Sequence, residues 1–138
     1  RNEAEAARWI ERSANNGFAR ASWLLSWLYW EGTVVPKDPA KAGLHLQKAA
    51  EAGIAGAQGS LGAAYLVGNY GMEKSLPKAL PWLRKAAEQG NDYGQYALGL
   101  LYAEGYGVTR DRVEAAFWLG KAAQQGHAEA GKRLQTLR

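Results

Sequence analysis

The stretch Trp82-Leu83-Arg84-Lys85-Ala86-Ala87-Glu88-Gln89-Gly90 has close copies at residues 45–53 (HLQKAAEAG) and 118–126 (WLGKAAQQG), and a degraded one at 9–17 (WIERSANNG). The closing glycines, Gly17, Gly53, Gly90 and Gly126, stand 36, 37 and 36 residues apart. A fixed period in the range of about 20–50 residues points to a solenoid, because each unit can bury its apolar face only against the next copy. Every other signal has to fit inside that frame.

A second block precedes each later copy: residues 21–32 (ASWLLSWLYWEG), 57–68 (AQGSLGAAYLVG) and 94–105 (GQYALGLLYAEG). It aligns Leu25, Leu61 and Leu98, and also Tyr29, Tyr65 and Tyr102. One unit is therefore two short helices, A then B. Asp38, Ser75 and Asp111 stand where helix B begins, and their side-chain oxygens can accept the first free backbone N–H groups. Pro39 follows Asp38 at a position where its missing N–H costs nothing. The glycines after each helix suit left-handed caps. These signals predict helices at 2–15, 20–31, 39–52, 56–67, 76–89, 92–104, 112–125 and 128–137, with no strand. Pro81 falls inside the third B helix and is expected to bend it or delay its start. Gly62 and Gly99, each one residue after a core leucine, are expected to let two helices approach closely, with Ser26 as the small substitute. The chain reads as a single solenoid domain over 1–138. It comprises a half repeat 1–17, repeats 18–53, 54–90 and 91–126, and a C-terminal half repeat 127–138 in which Arg138 takes the tyrosine slot.

Composition narrows the function. With 47% hydrophobic and 22% charged residues the chain reads as soluble and globular. No apolar run reaches the roughly 18 residues of a membrane helix, so no membrane insertion is expected. The net charge of +4 is modest and dispersed, which does not favour a nucleic-acid partner. There is no cysteine, so thiol catalysis and disulfides are excluded. No GxSxG, phosphate-cradling glycine loop or HExxH occurs, and neither enzyme activity, cofactor nor metal is expected. His45 stands where Trp82 and Trp118 stand in the other copies, without a second ligand or carboxylate at working distance in sequence. It is expected to be a hydrogen-bonded core histidine, and His127 an exposed residue opening the last helix. No basic-then-apolar leader is visible and Arg1 is not methionine, so the chain is expected to be one segment of a longer protein. Periplasm, cell envelope and cytoplasm are all compatible, and the oligomeric state is open.

The units resemble Sel1-like repeats, relatives of the tetratricopeptide repeat, whose pattern is close to LGxxYxxGxGVxxDxxxAxxWxxKAAxxG. Residues 98–126 fit it almost position for position. Residues 61–90 fit with one inserted residue and Ser75 at the Asp position; residues 25–53 depart at Ser26 and His45. The resemblance implies an all-α, right-handed α/α superhelical solenoid that serves as an adaptor for protein–protein contact.

Residues recurring at the period are expected in the core, because every unit must bury the same face. This covers the leucines, the tyrosines (Tyr65 packing on both neighbours) and the B-helix tryptophans Trp9, Trp82 and Trp118. Arg12, Lys48, Lys85 and Lys121 recur at the same interval and are expected on the convex side, where they complement helix C-termini. One feature does not recur. With Trp23 at zero and about 100° per residue, Trp27 lies at about 40° and Trp30 at about −20°, on the side away from the shared core. The counterparts of this stripe are Gly59, Ala63 and Leu66 in the next A helix, and Tyr96, Leu100 and Ala103 in the third. In a superhelix of the implied kind this face lines the concave groove. Trp23, Trp27, Trp30, Leu66, Tyr96 and Leu100 are accordingly the candidate surface for a partner protein or peptide. The alternative is a carbohydrate-binding module of the bacterial envelope that uses the Trp stripe.

Overall fold

The computed structural model describes residues 2–137, so Arg138 and its place in the tyrosine slot lie outside the described residues. Among the described residues there are eight helices: α1 (Asn2–Asn15), α2 (Ala19–Glu31), α3 (Pro39–Glu51), α4 (Ala55–Val67), α5 (Leu76–Glu88), α6 (Asp92–Glu104), α7 (Arg112–Gln124) and α8 (Ala128–Thr136). No strand occurs among the described residues. The odd-numbered helices are B helices and the even-numbered ones A helices, and each packs mainly on its neighbours in sequence.

The caps form as the side chains dictate. Asp38 accepts from Lys41 N, Ser75 from Lys78 N, and Asp111 from both Val113 N and Glu114 N. After α5, Gly90 takes φ 93°, a left-handed conformation that glycine adopts without strain. Of the two outcomes expected of Pro81, the delayed start does not occur: Ser75 caps α5 and the helix runs from Leu76 through Pro81 to Glu88. Pro77 and Pro81 are both exposed, so water can serve the Pro77 carbonyl that lacks an N–H partner.

Leu83 of α5 and Leu119 of α7 each fill a notch on the preceding A helix. Leu25, Leu46, Leu61, Leu83, Leu98 and Leu119 are all fully buried. A Cβ added at Gly62 would lie 2.6 Å from Leu83 Cγ, and one at Gly99 would lie 2.8 Å from Leu119 Cγ. Hydrogen at these positions is what lets the helices close. Tyr65 is half-buried and touches two successive core clusters, so it does span both neighbours. Tyr29 donates to Glu11 Oε2 at 2.5 Å, while the Tyr102 hydroxyl accepts from Arg84 at the same distance. One slot in the repeat thus takes partners of opposite charge. Burial and Glu11 push the Tyr29 phenol up to about 12.

The inserted residue lies in the loop Asn69–Met72. Tyr70 adopts φ 57° there, and its carbonyl oxygen would be 2.1 Å from a Cβ at Gly43. Leu80 and Ala116 occupy the equivalent of Gly43 in the other repeats, so glycine at 43 makes room for the longer loop.

Glutamines tie one repeat to the next. Gln58, buried on α4, donates to Ala50 O and accepts from Gln89, which also donates to Gly53 O. Gln95, Gln125, Ala87 O and Gly90 O repeat the arrangement one period on. At the first junction the equivalent residues are Ser22 and Ala52. A notch of about 290 Å³ stands there instead, lined by Ala14, Gly17, Ser22 and Ala52 among others.

Two stability tests follow from this packing. Gly99→Ala should lower stability by about 1–3 kcal/mol through overpacking. Gly120→Ala, where a Cβ meets nothing within 4 Å, should be neutral or stabilising by up to about 1 kcal/mol. Urea melts that rank them the other way would show that the α6–α7 contact is looser than described. The double substitution Ser22→Gln/Ala52→Gln, which supplies the missing relay, should raise stability by about 1–2 kcal/mol.

Candidate functional site

Helix α4 (AGAQGSLGAAYLV) carries no charged residue, and most of its positions are small. It packs between α3 and α5 and also touches α6. Large aromatics of α2 and α6 flank α4. The Trp23 ring lies over Gly56, where an added Cβ would be 3.1 Å from Cζ2, and Tyr93 lies beside Gly59.

The six candidate residues separate into two groups. Leu66, Tyr96 and Leu100 come together, with Tyr93, Tyr106 and Glu104, in an apolar groove of about 300 Å³. Glu104 at its rim pairs with Arg133. The three tryptophans share α2 but not one environment. Trp27 is 57% exposed and adjoins Leu24, which is also exposed. Trp23 is half-buried against the core around Leu46 and Leu61. Trp30 is half-buried too: it stacks on Tyr70 with ring centroids 4.3 Å apart, and Lys37 Nζ lies 4.6 Å from its ring. The inserted loop thus supplies the cover for Trp30, a contact no helical wheel can display. Tyr93 and Tyr106 were not singled out from sequence. Tyr93 is an aromatic without a counterpart in the first two repeats, the signal that had marked the tryptophans, whereas Tyr106 precedes the left-handed Gly107 as Tyr70 precedes Gly71.

Three placements correct the sequence reading. His127 is half-buried and not exposed: it stacks on Tyr96 at 4.4 Å, and its Nδ1 accepts from Ala130 N to cap α8. Trp9 is 64% exposed and not core. Trp82 packs against Ala49 and Ala50 on the preceding B helix, and Trp118 against Ala87. The described residues include no helix before α1 to do this for Trp9, and Arg12 covers one face of its ring instead. His45 is buried as expected, but its Nδ1 has no hydrogen-bond partner. The ring stacks on Tyr29 at 5.9 Å. Burial first, then the neighbouring Lys48, holds its pKa below the usual histidine value. No cluster of three potential metal ligands exists among the described residues, and no helix among them is long and apolar enough to cross a membrane.

Comparison with known proteins places this architecture. A model of the Sel1 repeat matches residues 1–18, 19–54, 55–91 and 92–127. The chain belongs to the Sel1 repeat family. Its fold is the right-handed superhelical solenoid of Sel1 proteins. The crystal structure of c5321, a protective antigen of uropathogenic Escherichia coli strains, superposes with a TM-score of 0.87 at 41% identity. That match covers 93% of this chain and 27% of c5321. A Sel1 repeat protein from Oxalobacter formigenes matches with a TM-score of 0.84 at 38% identity, over 92% of this chain and 95% of its own. Among curated proteins, the alginate biosynthesis protein AlgK of Pseudomonas syringae pv. tomato is 40% identical over 103 residues, covering 72% of this chain and 22% of AlgK. The chain thus spans less than a third of AlgK and of c5321. Sel1 repeats are generally non-catalytic scaffolds for protein–protein interaction.

His45 yields a pH prediction. Its folded-state pKa lies below the unfolded value of about 6.5, so the unfolded chain binds the extra proton. The stability His45 contributes is complete above about pH 6.5 and is lost as pH falls through the folded pKa, at up to about 1.4 kcal/mol per pH unit. His45→Phe should flatten this slope in denaturant melts across that window. Parallel curves for the two proteins would mean that folding leaves the imidazole's proton affinity unchanged.

Proposed function

We infer that the chain is a non-catalytic adaptor that holds a partner protein or peptide on the concave face of its A helices. The observation that carries this reading is the exposure of Trp27, with Leu24, beside the uncharged α4 and across from the Tyr96–Leu100 groove. A large aromatic left more than half exposed beside a wall of small side chains is the kind of anchor that dominates interface energies. Trp27 and the exposed edge of Trp23 bound one side of this surface. Leu66, Tyr96 and Leu100 floor the other, and Trp30, held under Tyr70, shapes its end. Burial, and then the neighbouring Tyr96, push the Tyr93 hydroxyl up from its ordinary value. The surface therefore offers apolar area with hydroxyl donors, which suits a peptide carrying apolar side chains.

The test uses a photo-crosslinking residue at position 27 and, separately, at Gln47 on the opposite side. Adducts from position 27 identify the partner. Trp27→Ala should then weaken its binding by at least about 2 kcal/mol, with the melting temperature nearly unchanged. Adducts from position 47 alone, or wild-type affinity in Trp27→Ala, would remove the concave face from consideration. Binding of a glycan, lost in Trp27→Ala, would replace the protein partner with a carbohydrate.

A further inference from the structure

The B helices carry a second pattern that the adaptor reading does not use. Along α3, Lys41, Leu44 and Lys48 lie within about 60° of one another on the helix surface, at about 100° per residue. Along α5, Lys78, Pro81 and Lys85 repeat this 37 residues on, and α7 continues it with Phe117 and Lys121. All these side chains are exposed, Leu44 to 56% and Phe117 to 51%. Positive charge gathers on the three central B helices, whereas α1, the first B helix, holds two Arg against three carboxylates. Helices α3, α5 and α7 hold seven Lys or Arg against three carboxylates, a surplus equal to the +4 of the whole chain. Helices α2, α4 and α6 hold one cation against three carboxylates.

The B-side carboxylates leave the array intact on α3 and α5, while Glu114 takes the position of Lys41 and Lys78 on α7. Glu51 and Glu88 are the last residues of α3 and α5, and Glu114 is engaged with Trp118 Nε1. Several ammonium groups rest against rings: Lys41 over Tyr29 at 5.4 Å, Lys78 over Tyr65 at 5.8 Å, Lys85 over Trp82 at 4.8 Å and Lys121 over Phe117 at 5.2 Å. Such contacts hold the charges close to the protein surface.

We propose that this convex B-helix face lies on an anionic phospholipid surface, with Lys41, Lys48, Lys78, Lys85 and Lys121 against headgroups and Leu44 and Phe117 between them. The lysines form a two-dimensional array spread over three helices and do not converge on a point. An acidic side chain of a protein would be bound by a converging fork of donors. A fluid sheet of anionic headgroups needs only area and sign, and it admits apolar side chains between the charges. The partner surface and the lipid surface then lie on opposite sides of the solenoid.

The experiment is co-sedimentation of the 138-residue chain with vesicles of phosphatidylcholine containing one-third phosphatidylglycerol, and with pure phosphatidylcholine. Binding is expected to the anionic vesicles alone and should fall with added salt, because exposed charges are screened. Each lysine near the surface accounts for about a fivefold change in partitioning. Lys48→Gln/Lys85→Gln should therefore lower it about 25-fold, and Leu44→Ser should lower it without changing the salt dependence. Trp27→Ala should leave it unchanged, which separates failure here from failure of the concave-face reading. Thermal melts check that the variants fold. Equal binding to neutral vesicles, no binding to anionic ones, or a double variant that partitions like wild type would overturn the proposal. So would a preference for RNA or an acidic protein in competition.

Discussion

The structure depends on a close approach of two helices that only hydrogen permits. Leu83 sits in the space a Cβ at Gly62 would fill, and Leu119 in the space of one at Gly99. The notch sets the distance between α4 and α5 and between α6 and α7, and with it the pitch of the stack. At the equivalent position of α2 stands Ser26, which is 1% exposed. Once that distance is fixed, small residues are required around it: Ala79, Ala86, Ala97 and Ala122 are all buried along the same contacts. Dense packing of this kind transmits a change at one helix to its neighbours, because close-packed interiors have no slack to absorb it.

The leucine notches join the helices, and hydrogen bonds join one unit to the next. Gln58 and Gln95 are buried amides, and each is satisfied by a backbone carbonyl on one side and a glutamine from the following B helix on the other. A buried amide without partners would be costly, so the two glutamines of each relay depend on each other. In a linear array, stability is close to a sum of unit terms and junction terms. The relay is a junction term.

The architecture was legible because period, caps and glycines are local or repetitive signals. Asp38, Ser75 and Asp111 capped the helices they were expected to cap, and Gly62 and Gly99 met the leucines. What could not be read depended on contacts between elements. A helical wheel put Trp23, Trp27 and Trp30 on one stripe, but Gly56 of α4 and Tyr70 of the inserted loop cover two of them to different extents. Trp9 was grouped with Trp82 and Trp118 by period, yet its exposure depends on which helix lies beside α1. Period marks a position as equivalent only where the neighbours are equivalent. The glutamine relay did recur in the sequence, at 58 and 95 and at 89 and 125. Recurrence alone did not reveal that residues from separate helices meet, nor that Ser22 and Ala52 break the series.

That break has a mechanical consequence. An array with equal joints bends evenly, whereas one with a weaker joint concentrates its compliance there. The joint that lacks the glutamines lies where the start of α2 meets the ends of α1 and α3, one residue from Trp23. Compliance is therefore greatest under α2, while the tyrosine wall of α6 stands on a joint that carries the full relay. The same pair of small residues that weakens the stack sets one side of its aromatic face on the softer joint.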